Sequence, residues 1–431
     1  MLNGEVMEPA ATAAPTDRPA WLARYAAVRA RTLELSSPLS AEDQQVQSMP
    51  DVSPTKWHLA HVTWFFETFL LSPELAGYQP FDPAFGYLFN SYYEQLGARH
   101  PRPERGLITR PSIETVRAYR AYVDAAMQQL VETCDDDVWG RLQSLIELGL
   151  NHEQQHQELL LMDIKHVLSV NPLHPAYHAT ELDRFSTARP LTWSAFDGGL
   201  CEIGWAGQGF AFDNEGPRHK EWIEPFRLAD RLSTCGEYLE FIRDGGYRRP
   251  ELWLSDGWAT VQREGWTAPL YWTAASDGQW RVFTLAGSRA LVAAEPVSHL
   301  SHYEADAFAR WSGTRLPTEA EWEVAASSVA SCGNLADHGV FHPRAVQGDG
   351  LSQMIGDLWE WTASPYVAYP RYRPADGALG EYNGKFMSGQ MVLRGGSAMT
   401  PADHLRVTYR NFFPPSARWA FSGVRLAADA E

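Results

Sequence analysis

Two histidines lie four positions apart in the stretch NHEQQHQELLLMD, which spans residues 151–163. On a helix such residues share a face, and Leu148 and Leu160 lie on the same face as His152 and His156. We therefore expect both imidazoles to point into a core side by side, as metal ligands do. Two ordinary core histidines would give the same spacing, so a third ligand is needed to decide.

A third histidine is available in KWHLAHVTW, residues 56–64. His61 belongs to an apolar stripe with Trp57 and Trp64, so its ring can point into the same core. His58 also borders apolar positions, and spacing alone does not choose between the two. Facing helices of a bundle are a known source of metal ligands. Three neutral nitrogens that leave positions open on the metal are typical of a catalytic site.

Residues 152–156 also match the H-E-x-x-H pattern of zinc metalloproteases, in which the glutamate is the general base. Two features argue against a zinc hydrolase. The plausible third histidine lies upstream of the pair, whereas in that class it normally lies downstream. Glu153 directly follows His152, so a helix rotates it roughly 100° away from the histidine face. The sequence therefore predicts a metal site in which Glu153 is not the base.

Four long segments are predicted to be helices that position these histidines. They cover residues 18–37, 53–71, 112–134 and 135–168. Ser53 is the expected N-cap of the second helix, with Pro54 at its first position, and this helix should end before Ser72. Helices of this number and length suggest a bundle. The long segment 81–111 carries paired tyrosines, which indicates an ordered, functional loop.

After about residue 169 the helical periodicity is lost, and glycines, tryptophans and short alternating runs follow. We expect α+β or irregular β structure with many turns, and one clear helix at 301–313. The sequence therefore divides into a helical first part and a mixed second part.

The composition limits the partners. The formal net charge of −17 argues against nucleic acid or an anionic membrane surface. No run of about 18 apolar residues exists, so no membrane span is expected. The four cysteines show no C-x-x-C spacing, which argues against a disulfide framework and fits a cytoplasmic location. Residues 1–17 lack the apolar segment of a signal peptide and are expected to be a disordered lead-in.

Three motifs in the first part together resemble the ergothioneine-biosynthesis sulfoxide synthases (EgtB type). They are SPTKWHLAHVTWFFETFLL, FNSYYEQLGARHPRPERGL and NHEQQHQELLLMD. In the second part GTRLPTEAEWEVAA, GDLWEWTASPY, VLRGGS and RNFFPPSARWAFSGVRLA resemble the formylglycine-generating enzymes. The resemblance covers nearly everything from about residue 18 onward. It implies a DinB-like four-helix bundle over 18–175, followed by a C-type-lectin-like, formylglycine-generating-enzyme (sulfatase-modifying-factor) domain over 185–431, an α+β protein overall.

The same resemblance implies a cofactor and a reaction. Fe(II) would be held by His61, His152 and His156, with O2 as cosubstrate. The family joins the sulfur of cysteine or γ-glutamylcysteine to the imidazole carbon between the two nitrogens of hercynine (trimethylhistidine), which gives a sulfoxide. Oxygen chemistry needs a donor of a proton and an electron. Tyr93 is the first candidate for this donor and Tyr92 is the second. Loop packing is the ordinary alternative for both tyrosines.

Substrate-binding residues follow from the resemblance as well. Gln155 is expected to hydrogen-bond hercynine. Asn411, Phe412 and Phe413 resemble the hercynine-binding segment of the family, and aromatic faces attract a trimethylammonium group. The two phenylalanines could equally be core residues of the second domain.

Arg102, Arg105 and Asp51 could bind a zwitterionic donor, guanidinium to carboxylate and carboxylate to ammonium. Surface ion pairs are the alternative, and they fit Arg105 better than Arg102. The related selenoneine synthases join a selenosugar to hercynine instead, and such a donor needs fewer fixed charges. The distinguishing feature is whether Arg102 and Asp51 converge on the donor site.

Two other classes of function remain to be considered. The first is a non-enzymatic, lectin-like binding protein with a degenerate bundle, which the three intact histidines disfavour. The second is the zinc hydrolase. Activation of sulfatases is not expected, because residues 394–413 lack the cysteines that the formylglycine-generating enzymes use. The expected partners are therefore small molecules.

Overall fold

Four long helices pack together in the first part of the chain, as predicted. The computed structural model describes residues 17–182, 187–207, 209–275, 278–329 and 332–430. The helices of this part are α1 Arg18–Ser36, α2 Thr55–Phe66, α3 Ser72–Glu74, α4 Phe85–Phe89, α5 Ile113–Thr133 and α6 Asp136–Val170. Helix α2 packs against α5 and α6, and α1 packs against α6. The disordered lead-in expected at 1–17 lies, except for Asp17, outside the described residues.

Side-chain caps explain where three of the long helices begin. Asp17, Ser112 and Asp135 accept hydrogen bonds from backbone N–H groups in the first turns of α1, α5 and α6. Such caps satisfy donors that have no partner within the helix. The starts of these helices therefore agree with the sequence to within one residue.

Helix α2 departs from its prediction at both ends. The expected N-cap, Ser53, is wrong, because the helix begins at Thr55 after Pro54 and has no side-chain cap. The hydroxyl of Ser53 instead accepts a hydrogen bond from Arg105 at 2.9 Å, and the N–H of Ser53 donates to Asp163 Oδ2 at 2.7 Å. The predicted stop before Ser72 is also wrong. A π-helical turn, Glu67–Leu71, continues α2 into α3, and Pro73 lies within this continued helix.

A glycine sets the distance between α2 and α6. A Cβ atom at Gly149 would lie 2.6 Å from a ring atom of Phe66 and 3.0 Å from one of Phe65. Both phenylalanines are buried in the core, so neither ring has free space to move into. Gly149 therefore allows the close approach that brings the histidines of the two helices together.

We expect Gly149→Ala to lower the free energy of unfolding by about 1–3 kcal/mol, because overpacking outweighs the better helix propensity of alanine. Gly140→Ala is the matched control on the same helix, since a Cβ atom there meets nothing within 4 Å. That control should be neutral or stabilising by up to about 1 kcal/mol. Urea denaturation of both variants measures the difference, and equal effects would show that the contact with Phe66 does not matter.

The second part of the chain combines small sheets with short helices. The strands are β1 Trp193–Phe196, β2 Gly199–Ile203, β3 His219–Ile223, β4 Phe226–Ala229, β5 Trp272–Ala274, β6 Trp280–Thr284, β7 Gly287–Ala290, β8 Trp359–Pro365, β9 Met391–Arg394, β10 Asn411–Phe413, β11 Ser422–Gly423 and β12 Ala427–Asp429. They form sheets in the orders β1-β4-β12, β10-β9-β8-β11, β2-β3 and β5-β6-β7. Neighbouring strands are antiparallel, except that β11 runs parallel to β8.

This part contains more helix than the sequence analysis predicted. The helices are α7 Cys235–Arg243, α8 Ser255–Glu264, α9 His302–Trp311 and α10 Glu319–Ala326. Only α9 was predicted, at 301–313, and Ser301 is its cap. The others are short, which hides their periodicity. However, α7 and α10 each begin with a capping box, Thr234 with Glu237 and Thr318 with Glu321.

Glu158 of α6 connects the two parts. Its carboxylate accepts hydrogen bonds from Trp359 Nε1 at 2.7 Å and from the hydroxyls of Ser397 and Thr400 at 2.6 Å each. This contact attaches the helix that carries two of the histidines to the second part. We propose that the domains divide between 175 and 185, after the end of α6 and before β1. None of the helices in the described ranges is long and apolar enough to cross a membrane.

Candidate metal centre and its surroundings

Three histidines converge inside the bundle. His61 of α2 and His152 and His156 of α6 each offer one ring nitrogen, and these nitrogens lie within 4.8 Å of one another. The three residues are only 0%, 1% and 9% exposed. The geometry thus brings together the histidines that the sequence analysis selected as metal ligands.

The free nitrogens of these rings fit a metal ion. His61 Nδ1 donates to the carbonyl oxygen of Phe89 at 2.6 Å, which leaves Nε2 unprotonated. That Nε2 atom, and both nitrogens of His152, are buried without a hydrogen-bond partner among the described residues. Buried polar atoms are costly without partners, and a bound metal would supply one.

Burial keeps the three imidazoles neutral. Burial, and next to it the ring of His152, lowers the pKa of His61 and of His156 well below the usual range. Burial lowers the pKa of His152 to about 3. Neutral imidazole is the form that binds a metal, so the donor set is three neutral nitrogens.

His58 lies next to this cluster but outside it. Its Nδ1 is 2.8 Å from Nδ1 of His156, and its Nε2 is 3.0 Å from Asp163 Oδ2. Both nitrogens therefore have protein partners. His61, in contrast, is stacked between the rings of Trp57 and Trp64, with centroids 4.6 and 5.6 Å away. The geometry thus separates two histidines that spacing left undecided.

Glu153 points away from the histidines into a separate buried network. It accepts hydrogen bonds from Arg29 at 2.9 Å, Arg120 at 2.8 Å and Thr32 at 2.7 Å. Burial alone would raise the pKa of Glu153, but the two guanidinium groups outweigh it and hold the pKa at about 2. A carboxylate held in this way joins α1, α5 and α6 and does not act as a general base.

We expect Glu153→Gln to cost about 3–5 kcal/mol of stability at neutral pH, because it removes the carboxylate that two buried guanidinium groups share. Arg29 keeps Asp124 as a second partner at 2.7 Å, whereas Arg120 has no other carboxylate partner among the described residues. The folded-state pKa is depressed, so this stabilisation is full above the ordinary pKa of about 4.5 and is lost as the pH falls towards 2. Denaturant unfolding at pH 7 and pH 3 measures both effects. Glu147→Gln, at the partly exposed pair with Arg24, is the control and should cost under about 1 kcal/mol.

A series of aromatic contacts connects the paired tyrosines to the histidine cluster. Tyr93 is fully buried, and its ring is 5.6 Å from that of Trp64, which stacks on His61. The ring of Tyr92 lies 4.7 Å from that of Tyr93. Burial, followed by the neighbouring Tyr92 and Tyr382, raises the pKa of Tyr93 well above its usual value. Its phenol therefore keeps its proton.

A third tyrosine, Tyr382, was missed by the sequence analysis. Its ring is 5.6 Å from that of His152 and is stacked on Phe212, also at 5.6 Å. Its hydroxyl donates to Gln155 Oε1. No local signal pointed to it, because it lies in a turn-rich stretch 227 residues after Gln155.

A short segment of the second domain, residues 377–386, holds the loop that carries Tyr92 and Tyr93. We call this segment the clasp. Glu381 accepts hydrogen bonds from the backbone N–H groups of Glu94 and Gln95, both at 3.0 Å. Lys385 donates to the carbonyl oxygen of Tyr92 and pairs with Glu381 at 2.8 Å. The clasp therefore sets the position of the tyrosine pair and also carries Tyr382.

The predicted hercynine-binding residues lie around this region. Gln155 donates to the hydroxyl of Tyr409 at 2.5 Å, so its amide is shared between tyrosines of the second domain. Asn411, Phe412 and Phe413 form the half-buried strand β10. Phe412 stacks on Tyr366 at 4.0 Å, and Phe413 meets Trp419 edge-on at 5.7 Å. No ring contact between these phenylalanines and the histidines is among the described ones, so their binding role stays a prediction.

The two arginines differ sharply in burial. Arg102 is exposed and donates to the backbone carbonyl of Asp51, whose side chain is also exposed. Arg105 is buried, and its guanidinium lies 3.4 Å from the ring centroid of Trp57. It donates to the hydroxyls of Ser53 and Ser91. Surface pairing, the alternative that the sequence analysis left open for Arg105, is therefore wrong for this residue.

Comparisons with known proteins give a consistent picture. The DinB superfamily model matches residues 24–160, and the sulfatase-modifying factor enzyme 1-like domain model matches residues 184–347 and 330–430. A formylglycine-generating enzyme of Streptomyces coelicolor is 27% identical over 51% of this chain and 85% of its own length. The predicted order of a DinB-like helical domain and a formylglycine-generating-enzyme-like domain is confirmed.

Relatives with similarity over both domains include two hercynine oxygenases. The hercynine oxygenase of Mycolicibacterium thermoresistibile is 33% identical and covers 94% of this chain and 93% of its own. The hercynine oxygenase of Mycobacterium tuberculosis is 31% identical and covers 94% of this chain and 97% of its own. Since both similarities run through the bundle with its histidine cluster and through the second domain, the chain belongs to the hercynine oxygenase (EgtB-type) family of oxidoreductases.

Proposed function

We propose that this protein is an iron(II)- and O2-dependent enzyme that forms a carbon–sulfur bond on hercynine and releases a sulfoxide in ergothioneine biosynthesis. The observation that carries the proposal is the cluster of three buried, neutral imidazoles, each of which offers one nitrogen within 4.8 Å of the others. Fe(II) there would supply open coordination positions and the redox chemistry with O2 that zinc lacks. The balanced reaction consumes hercynine, one thiol and one O2, and yields the sulfoxide and one water.

The side chains of the protein have distinct roles in this proposal. His61, His152 and His156 hold the metal. Tyr93 holds a proton in a water-excluded position and is the donor of that proton to the reacting oxygen, with Tyr92 and Tyr382 as its immediate neighbours. Gln155, oriented by the tyrosines of the second domain, binds the imidazole of hercynine. The aromatic residues of β10 face the trimethylammonium group.

Arg105 supports an amino-acid donor. It is a buried guanidinium with no carboxylate partner among the described residues, and a buried charge without a counter-ion is strongly unfavourable. The carboxylate of cysteine or γ-glutamylcysteine would supply that counter-ion next to Trp57, the ring that stacks on His61. Arg102 and Asp51 meet each other at the surface, so we assign them to the rim of the donor site and Arg105 to its interior.

The test is a set of parallel reactions with protein that is purified without air and loaded with Fe(II). Each reaction contains hercynine and O2 together with cysteine, γ-glutamylcysteine or a selenosugar, and mass spectrometry detects the coupled product. We expect a sulfoxide with a thiol, and no product in the absence of O2. A carbon–selenium product with inert thiols would replace the donor part of the proposal with a selenosugar. No product from any donor, combined with tightly bound zinc, would overturn the function.

The assignment of Arg105 has a separate control. Arg105→Lys keeps the positive charge but loses the two-pronged geometry that suits a carboxylate. It should raise KM for the thiol while KM for hercynine stays unchanged. An equal effect on both substrates would remove Arg105 from the donor site.

A further inference from the structure

Three buried polar side chains stand in series behind the metal centre. Nδ1 of His156 lies 2.8 Å from Nδ1 of His58. Nε2 of His58 in turn lies 3.0 Å from Oδ2 of Asp163. All three are at least nine-tenths buried. Asp163 lies two turns after His156 on α6, whereas His58 lies one turn before His61 on α2, so the series crosses between the two ligand-bearing helices.

The direction of each hydrogen bond follows from the partners. Asp163 Oδ2 already accepts the backbone N–H of Ser53 at 2.7 Å, and a carboxylate only accepts. His58 Nε2 must therefore carry a hydrogen and donate it. A neutral imidazole with its hydrogen on Nε2 has a lone pair on Nδ1. That lone pair accepts from His156 Nδ1–H, which leaves Nε2 of His156 as the metal-binding atom.

We propose that His58 and Asp163 are positioning residues of the metal centre, and that they fix the tautomer and orientation of His156 through a carboxylate–histidine–histidine relay. The inference rests on the proposed function only in taking the three histidines as metal ligands. A carboxylate at the end of the relay also makes His156 a stronger electron donor than a ligand without such support.

The relay makes the three ligands unequal. His156 is supported by an anionic carboxylate through His58, and His61 by the neutral backbone carbonyl of Phe89. Neither ring nitrogen of His152 has a protein partner among the described residues. His156 is thus the ligand held most firmly and His152 the one held least firmly. Two histidines one turn apart on α2 have separate tasks, one as ligand and one as support.

The test measures metal binding and does not depend on turnover. Metal-free protein is titrated with Co(II) under nitrogen, against a coloured competing chelator, and the visible ligand-field bands of bound Co(II) are recorded. We expect His58→Phe to weaken binding by about 10- to 100-fold and to shift these bands. Asp163→Asn keeps an acceptor for His58 and Ser53 but removes the charge, and it should weaken binding by a smaller factor in the same direction.

His302→Phe is the matched control, because it replaces a buried histidine on α9 that packs against Trp361 and Tyr303 in the second domain. It should leave the affinity and the bands unchanged. Unchanged affinity and bands in folded His58→Phe would overturn the relay. If that variant does not fold, the same result in Asp163→Asn overturns it. A wild-type protein that binds no metal would refute the metal centre itself, and the relay with it.

Discussion

His152→Ala is expected to give a folded protein that neither retains iron nor forms product. Neither nitrogen of His152 has a hydrogen-bond partner in the part of the chain that the structure describes, so its removal breaks no hydrogen bond there. The metal would lose one of three ligands, which weakens binding on the order of a hundred- to a thousandfold, judged from the free energies of four-ligand protein sites. Iron content after desalting, Co(II) affinity and product formation measure the effect.

His166→Ala is the matched control for this loss. His166 lies on the same helix, and its Nδ1 is 2.7 Å from the hydroxyl of Ser48, outside the histidine cluster. This variant should bind metal as the wild type does. Thermal unfolding of the metal-free proteins verifies that both variants are folded. Full iron content and activity in His152→Ala would refute the assignment of the ligands.

Tyr93→Phe is expected to lower kcat by about 10²- to 10⁴-fold, the usual contribution of a positioned proton donor. The substitution removes only the hydroxyl and keeps the buried ring against Trp64, so iron content and KM should change little. Because burial raises the pKa of Tyr93, the wild-type rate should not fall through ionisation of this phenol below about pH 10. Single-turnover kinetics with O2 added last separates this step from binding.

Two further substitutions locate the donor within the tyrosine group. Tyr87→Phe, at a half-exposed ring on α4, is the control and should leave the rate unchanged. Tyr382→Phe should have a smaller effect than Tyr93→Phe, since its hydroxyl is hydrogen-bonded to Gln155. If Tyr382→Phe stops the reaction and Tyr93→Phe does not, the donor is the tyrosine of the clasp, whose ring lies nearer to His152.

The long helices and the histidine pair could be predicted because their information is local. Periodic apolar residues predicted α1, α2, α5 and α6, and the spacing of His152 and His156 placed both on one face. The rotation between neighbouring helical positions likewise turned Glu153 away from the metal. Its partners Arg29 and Arg120 could not be foreseen, because they lie 124 and 33 residues away in the chain.

The remaining features depend on contacts between distant segments. His58 and His61 have equivalent local surroundings, and only Asp163 and the carbonyl of Phe89 distinguish them. Arg102 and Arg105 lie in one 3-10 helix, and no sequence rule states which of them is covered. Ser53 is not a cap, and its hydroxyl accepts a hydrogen bond from Arg105, 52 residues away. The π-helical turn that extends α2 has no reliable local signature either.

The clasp is made late during synthesis. All three histidines belong to the bundle, whereas Tyr382 follows Gln155 by 227 residues. A ribosome that adds about 5–20 residues per second needs roughly 10–45 seconds to cover that distance. Throughout this interval the nascent chain has no clasp, and nothing from it lies over the imidazoles. A bundle that has folded in this interval therefore exposes its histidine cluster to metal ions before the clasp has been made.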